Sequence, residues 1–451
     1  MSETSLPESQ TNTIQAPRSM RTFIIIWLGE LISMLGSGLT SFALGVWIYQ
    51  QTGQATPFAL TVLFGSLPRL LLLPMAGSLA DRWNRRWLMI LADTGSALVT
   101  VSVVFVLLTG DLQIWHIYLI AVFGSVFSAF QQPAFDSSVT MLVPKKDLTR
   151  ANGMVQMGHA LEMVMTPMLA GVLFVAIGLQ GIVWIDFITF FFAVGALLIV
   201  AIPQPEVQAR EESEKHSVWS DAAFGWRYLR QRGGLFGLLW YFAMVNFMLN
   251  FAMVLIGPLV LSRFSAGVLG ALQTAAGVGM LAGGILMSAW GGPKRRILGV
   301  IGFIALGMLG LTTAGLQANP YLIGAGMFML MFSLPFASGS SQAIFQTKVA
   351  PDIQGRVFAI RGLIAQSMMP LAFLISGPLA DKVFEPLMST SGGLSSTAIG
   401  SLLGTGLGRG IGLMFAISGL IGLFATFLAF LNPHIRHVEV ELPDAIPDSE
   451  A

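Results

Sequence analysis

Twelve long apolar runs constrain this chain more than any motif does. They fall at about 22–49, 57–79, 88–109, 114–141, 153–177, 181–201, 235–260, 266–289, 297–316, 320–346, 357–380 and 409–431. A helix that crosses a bilayer needs about 20 apolar residues. A membrane β-barrel would show alternating segments of about 10 residues, and these runs are continuous. Only 10% of the 451 residues are charged, against about 25% in a soluble domain. Too few charges remain to cover a water-facing surface, so the sequence predicts an all-α polytopic membrane protein. Cysteine is absent, which removes thiolate chemistry, Cys-ligated metal and disulfides.

Lys and Arg set the predicted direction, because basic residues concentrate in cytoplasmic loops. With the N-terminus inside, 20 of the 24 basic residues fall on inner segments. Arg263, Lys382 and Arg409 fall outside, and Arg69 lies within span 2. That asymmetry supports twelve spans, with both termini cytoplasmic in a cell (inner) membrane. Met1–Pro17 is polar and carries no base, unlike a signal peptide.

The expected organisation is a cytosolic tail (1–20), a six-helix bundle (21–201), a cytosolic linker (202–234), a second six-helix bundle (235–431) and a second tail (432–451). The Gly/Ser-rich stretch 382–408 reads as a flexible outer loop. An internal repeat supports two halves. Gly77–Asp81 precedes a basic cluster, and 207 positions later Gly284–Ser288 precedes Lys294, Arg295 and Arg296. Val143-Pro144 and Ala350-Pro351 share that offset. Six spans per repeat is an even number, so the halves run parallel.

Gly77-Ser-Leu-Ala-Asp81-Arg82-Trp-Asn84-Arg85-Arg86 resembles the loop between helices 2 and 3 of the major facilitator superfamily. The family pattern there is Gly, three residues, Asp-Arg, any residue, Gly and two bases. Asn84 replaces the second Gly, and its tolerance of left-handed backbone predicts that the turn is kept. Thr166-Pro167-Met-Leu-Ala-Gly171 resembles a degraded antiporter motif of helix 5. Gln132-Pro133-Ala134, Leu142-Val-Pro144, Leu148 to Gly153 and Gly377-Pro-Leu-Ala-Asp381 are similar to the macrolide and siderophore exporter branch. The resemblance implies the major facilitator fold, with twelve helices in two parallel six-helix repeats. It also implies a conformational latch at Gly77, Asp81, Arg82, Arg85 and Arg86, in which the loop ties helix 2 to helix 11. Plain positive-inside anchoring also accounts for the three Arg.

Ionisable residues inside spans are costly and mark function or pairing. Glu30, Arg69 and Glu162 each lie about 9 to 12 residues into a span, roughly 13 to 18 Å deep at 1.5 Å per residue. They are expected to cluster: one acid pairs with Arg69, and the other is left to exchange a proton. The rival reading is a buried ion pair that orders the bundle. Asp93 and Asp136 are shallower candidates for proton coupling. Asp186 reads as interfacial. His159 stands one helical turn before Glu162, positioned for a relay or for a core role. The last six spans hold no acid at mid-depth. Asn246, Asn250, Gln273, Gln342 and Gln366 there are candidates for a neutral substrate wall.

Function then reads as export of a lipophilic or amphipathic small molecule (a drug, a macrolide-like compound or a siderophore) by proton antiport with alternating access. A uniporter, a symporter or a lysophospholipid flippase of the same fold is the alternative. The expected partners are that substrate and the lipid bilayer, with no nucleic acid, and the chain is expected to be monomeric. No cofactor beyond the proton gradient and no metal are expected. Walker, HExxH and GxSxG motifs are missing, which argues against an enzyme.

Overall fold

The structure is a computed structural model that describes residues 19–110, 112–144, 147–200, 218–350 and 353–444. Within these, the side chains at 73, 74, 77, 78, 80–82, 137, 140, 149, 218–223 and 359 lie outside the described ones.

The spans form as helices because a bilayer leaves no other partner for their backbone groups. They are α1 (Met20–Thr52), α2 (Ala55–Arg82), α3 (Arg85–Thr109), α4 (Ile114–Leu142) and α5 (Leu148–Ile199) in the first half. A short helix, α6 (Val218–Arg230), precedes α7 (Gly233–Met253), α8 (Ile256–Leu261), α9 (Ala266–Trp290), α10 (Arg296–Leu316), α11 (Pro320–Lys348) and α12 (Gln354–Leu379). A π-helical turn (Ala380–Phe384), α13 (Glu385–Met388), α14 (Ala398–Leu403) and α15 (Arg409–Leu431) follow. The chain then ends its described part in α16 (Pro433–Arg436) and α17 (Val438–Glu441). The seventh span is α7 plus α8. Pro258 has no N–H to give Val254, and the helix breaks at Val254 and Leu255.

Among the described residues, eleven helices are long and apolar enough to cross a membrane. The twelfth span is hidden in α5, whose 52 residues would stretch about 78 Å if straight. It breaks at Gly178, where φ is 67° and ψ is −174°, a region that is essentially glycine-only. Contacts with α1 show that the chain reverses there. Gly36 lies against Asp186 and Thr189, and Gly38 lies against Thr166. Residues 166 and 186, on either side of the break, therefore share one depth.

The basic residues at the helix ends (Arg85, Arg86, Arg232, Arg295, Arg296, Lys348 and Arg356) define one face of the bundle, here termed the basic face. Both α1 and α15 place their terminal-side ends there by the alternation of spans. The two halves touch from mid-depth to the opposite face. A Cβ built on Gly270 of α9 would lie 2.2 Å from Pro167 O of α5, and one on Gly171 would lie 2.9 Å from Ala266 O. Small residues allow this backbone approach. Thr274 Oγ1 adds a bond to Val164 O at 3.2 Å. Beside them, Phe58 of α2 packs on Gly257 of α8.

The stretch 382–408, expected to be flexible, is tied down. Glu385 accepts from Gly408 N (3.0 Å) and Ile411 N (2.9 Å), which satisfies the start of α15. Arg263 donates to Leu407 O (2.7 Å) and Thr405 O (2.8 Å). At the basic face, Glu439 accepts from Arg296 N and Ile297 N and so caps α10. Buried Lys348 donates to Glu439 O and Leu442 O and pairs with Asp444 at 2.7 Å.

Candidate functional site: an acidic cavity in the first half

A cavity of about 500 Å³ opens among α1, α2, α3, α4 and both arms of α5. Helical spacing builds its wall from α1, since Trp27, Glu30, Met34, Ser37 and Ser41 recur every three or four residues on one face. Arg69 enters from α2, Asp93 and Thr100 from α3, and Gln131, Gln132 and Phe135 from α4. The two arms of α5 supply His159 and Glu162, then Asp186, Phe187 and Phe190. The turn at Gly178 is what lets one helix contribute twice.

Four acids thus share a cavity with one Arg. Glu30 is buried; its Oε2 accepts from Gln131 Nε2, and its Oε1 is buried without a partner. Asp93 is also buried, with Oδ2 unpartnered. It lies near enough to Glu30 for carboxylate to act on carboxylate. His159 Nδ1 stands 3.9 Å from Glu162 Oε2. Asp186, only 5% exposed, accepts from Ser37 Oγ and Thr100 Oγ1, both at 3.1 Å. An orphaned oxygen on a buried carboxylate is costly unless a proton or a cation meets it. Among the described residues, no three His, Asp or Glu side chains converge as a metal site would require.

Glu30, Arg69 and Glu162 all line this cavity, but the expected pairing of one acid with Arg69 does not form among the described residues. Glu30 turns to Gln131 and Asp93. Arg69 and Glu162 line the same cavity within electrostatic range, but no ion pair joins Arg69 to a described acid. Depth and facing bring all three to one cavity, as expected, but without direct contact between Arg69 and either acid. Asp186, read as interfacial, is instead buried beside the Ser and Thr residues of α1 and α3. Asp136 is exposed and accepts from Gln132 Nε2 at 3.0 Å, outside the cavity lining.

The helix-5 residues have a packing role. Thr166 contacts Gly38, while Pro167 and Gly171 form the crossing with α9. The polar candidates of the second half do not line this cavity. Asn246 and Asn250 donate to carbonyls one turn back in α7. Gln342 accepts from Arg361 Nη1 at 2.9 Å, while Arg361 also reaches Ser341 Oγ at 3.0 Å and stacks on Phe345. Gln273 and Gln366 sit half-buried or exposed on α9 and α12.

Of the latch residues, the side chains of Gly77, Asp81 and Arg82 lie outside the described ones. Arg86 donates to Leu197 O (2.8 Å) and Leu198 O (2.9 Å) at the end of α5, and Arg85 is buried at the start of α3. Asn84 does not adopt the expected left-handed backbone. It has φ −64° and ψ 110°, and its Oδ1 accepts from Trp87 N. It is the N-cap of α3, a role Asn fills well.

Two parallel six-helix repeats, the first of which holds a polar mid-membrane cavity, are the architecture of a transporter rather than of a membrane enzyme. The Major Facilitator Superfamily model matches residues 26–373, and the chain belongs to that family. It is 29% identical over 370 residues to macrolide efflux protein A of Streptococcus pyogenes, covering 80% of this chain and 90% of that one. It is 23% identical over 391 residues to the multidrug efflux pump Tap of Mycolicibacterium fortuitum, covering 82% and 91%. Among solved structures, a bacterial homolog of the human lysosomal transporter Spinster, inward-facing and unoccupied, superposes with a TM-score of 0.66. It is 15% identical, over 94% of this chain and 98% of that one, a likeness of fold.

Proposed function

We propose that the chain exports a lipophilic or amphipathic small molecule in exchange for protons, by alternating access, with its basic face in the cytosol. One observation carries the coupling: the neighbouring carboxyl groups of Glu30 and Asp93 each keep a buried, unpartnered oxygen inside the cavity. Two such groups cannot both hold charge cheaply without a counter-ion. A proton, taken up when the cavity faces outside and given up when it faces the cytosol, resolves this in each cycle. Glu162 with His159 lines the same space and offers a second stop for that proton.

The cavity volume falls within the range of drug-sized sites, and Trp27, Phe135, Phe187 and Phe190 give it apolar surface. The printed functions of the two relatives, macrolide and multidrug efflux, favour export. The contacts between halves lie away from the basic face, which fits a state open toward the cytosol.

The test uses inverted membrane vesicles with an imposed pH gradient and two probes, a radiolabelled macrolide and a lipophilic fluorescent dye. Wild type should accumulate at least one probe when the lumen is acidic. Glu30→Gln combined with Asp93→Asn should lose that accumulation at least tenfold while keeping downhill exchange. Accumulation that ignores the gradient, or that survives the double substitution, rejects proton antiport in favour of a uniporter, a symporter or a flippase.

A further inference from the structure

One five-residue pattern, Gly-x-Leu-Ala-Asp, occurs twice, 300 positions apart, as Gly77–Asp81 and Gly377–Asp381. The first ends α2 at the basic face. The second ends α12 at the opposite face. The same string therefore closes one helix at each face, and its second copy touches the start of α2, the helix that the first copy ends.

That contact is specific. The π-helical turn Ala380–Phe384 carries Asp381 across to the other half of the molecule. Its Oδ1 accepts from Ala55 N at 2.8 Å, and its Oδ2 accepts from Thr56 N at 2.7 Å. These two N–H groups open α2 and have no acceptor within their own helix. Gln54, the residue at the N-cap, gives α2 no side-chain bond. The cap comes instead from 326 positions away. A carboxylate is the favoured partner for a helix N-terminus, because both charge and hydrogen bonding act together. Four residues before Asp381, a Cβ on Gly377 would lie 2.6 Å from Thr56 Cα, so the two helices meet backbone to backbone.

We propose that Asp381 is a latch that holds the transporter shut on the face opposite the basic one, and that its release from α2 is a step in opening that face. The inference rests on the alternating-access reading. Opening this face requires α2 and α12 to part, and the bonds to Ala55 and Thr56 are then broken together. Asp381 is a positioning residue in this scheme: it acts on the populations of two states and lies apart from the cavity lining.

The test reads accessibility, not transport. The chain has no cysteine, so Ser41→Cys in the full-length protein reports on the cavity without background. Ser41 lines the cavity on the arm of α1 nearer the closed face. A membrane-impermeant maleimide is added from that face in sealed vesicles. Asp381→Ala should raise the labelling rate about tenfold or more, given the strength of hydrogen bonds to a charged acceptor. Ala55→Pro breaks the latch from the other side by removing one donor. Proline is accepted at the first position of a helix, and Gln54, at φ −115° and ψ 144°, already has the conformation that precedes it. Ala55→Pro should raise labelling too, and the two changes together should fall short of the product of their effects, as partners in one bond do.

Leu402→Cys, exposed on α14 at the same face, should label equally in every background and so reports insertion and folding. Unchanged Ser41→Cys labelling in Asp381→Ala, with normal Leu402→Cys labelling, overturns the latch. So do effects that multiply independently. Because neither substrate nor a proton gradient is needed, failed proton coupling and a failed latch give different results.

Discussion

The crossing of α5 and α9 offers a direct measure of how firmly this conformation is held. A methyl group added at Gly270 would sit 2.2 Å from Pro167 O and 3.1 Å from Gly171 Cα. A carbon and a carbonyl oxygen rest about 3.3 Å apart at closest, so the backbones must separate by about 1 Å. Neither contact is the tip of a flexible side chain that could swing aside. Overpacking of this kind costs about 1 to 3 kcal/mol. That cost falls on the state in which the helices touch, and under the proposed alternating access it shifts the balance with the opened state by about 5- to 150-fold. The assay is a distance distribution between spin labels at Thr109→Cys and Leu402→Cys, two exposed positions on the face opposite the basic one, one in each half. Gly270→Ala should move population from the short to the long distance. Gly284→Ala, on the same helix with nothing within 4 Å, should leave the distribution unchanged. Identical distributions in the two variants would refute the claim that this contact holds the halves together.

Two other substitutions test how the ends of the spans are held. Gly178→Ala forces an L-residue into φ 67°, at about 1 to 3 kcal/mol; the folded yield and the melting temperature should both fall, and a variant that melts like wild type would mean the reversal in α5 does not depend on that backbone. Lys348→Met deletes the ammonium that holds Glu439 O, Leu442 O and Asp444. Proteolysis at Glu441 should then quicken while membrane insertion is unchanged, and an unaltered cleavage rate would show that Lys348 does not restrain this segment.

The sequence makes some of this site visible and hides the rest for a physical reason. Depth can be counted along a span, and that count alone puts Glu30 and Glu162 near mid-membrane. The direction a side chain faces cannot be counted in the same way. In a soluble helix, apolar periodicity reveals the buried face; here the lipid-facing and bundle-facing sides are both apolar, so that signal fades. Hence the sequence suggests an acid as partner for Arg69 and gives no sign of the bond between Glu30 and Gln131. Asp186 is misread for a related cause. Its distance from the end of span 6 suggests an interface, but Ser37 and Thr100 draw it inward from helices far off in sequence. The spacing Ser33, Ser37, Ser41 on α1 is the available hint of a polar face. Asn84 shows that a residue standing in for glycine need not copy its backbone, because its side chain can cap a helix instead.

The depth of Glu30 has an electrical consequence. It lies near mid-membrane, roughly 15 Å along α1 from the basic-face end at 1.5 Å per residue, so in the proposed exchange a proton arriving from the opposite face crosses roughly half of the membrane field, given a core about 30 Å thick. At about 2.3 kcal/mol per elementary charge per 100 mV, an inside-negative voltage would add roughly 1.2 kcal/mol per 100 mV to loading this carboxyl from outside. Under the proposed proton exchange, membrane potential and pH difference both drive the filling of this site. Cargo charge decides what becomes of that contribution: exchanging one proton for one neutral molecule moves net charge inward, and exchanging it for a monovalent cation moves none.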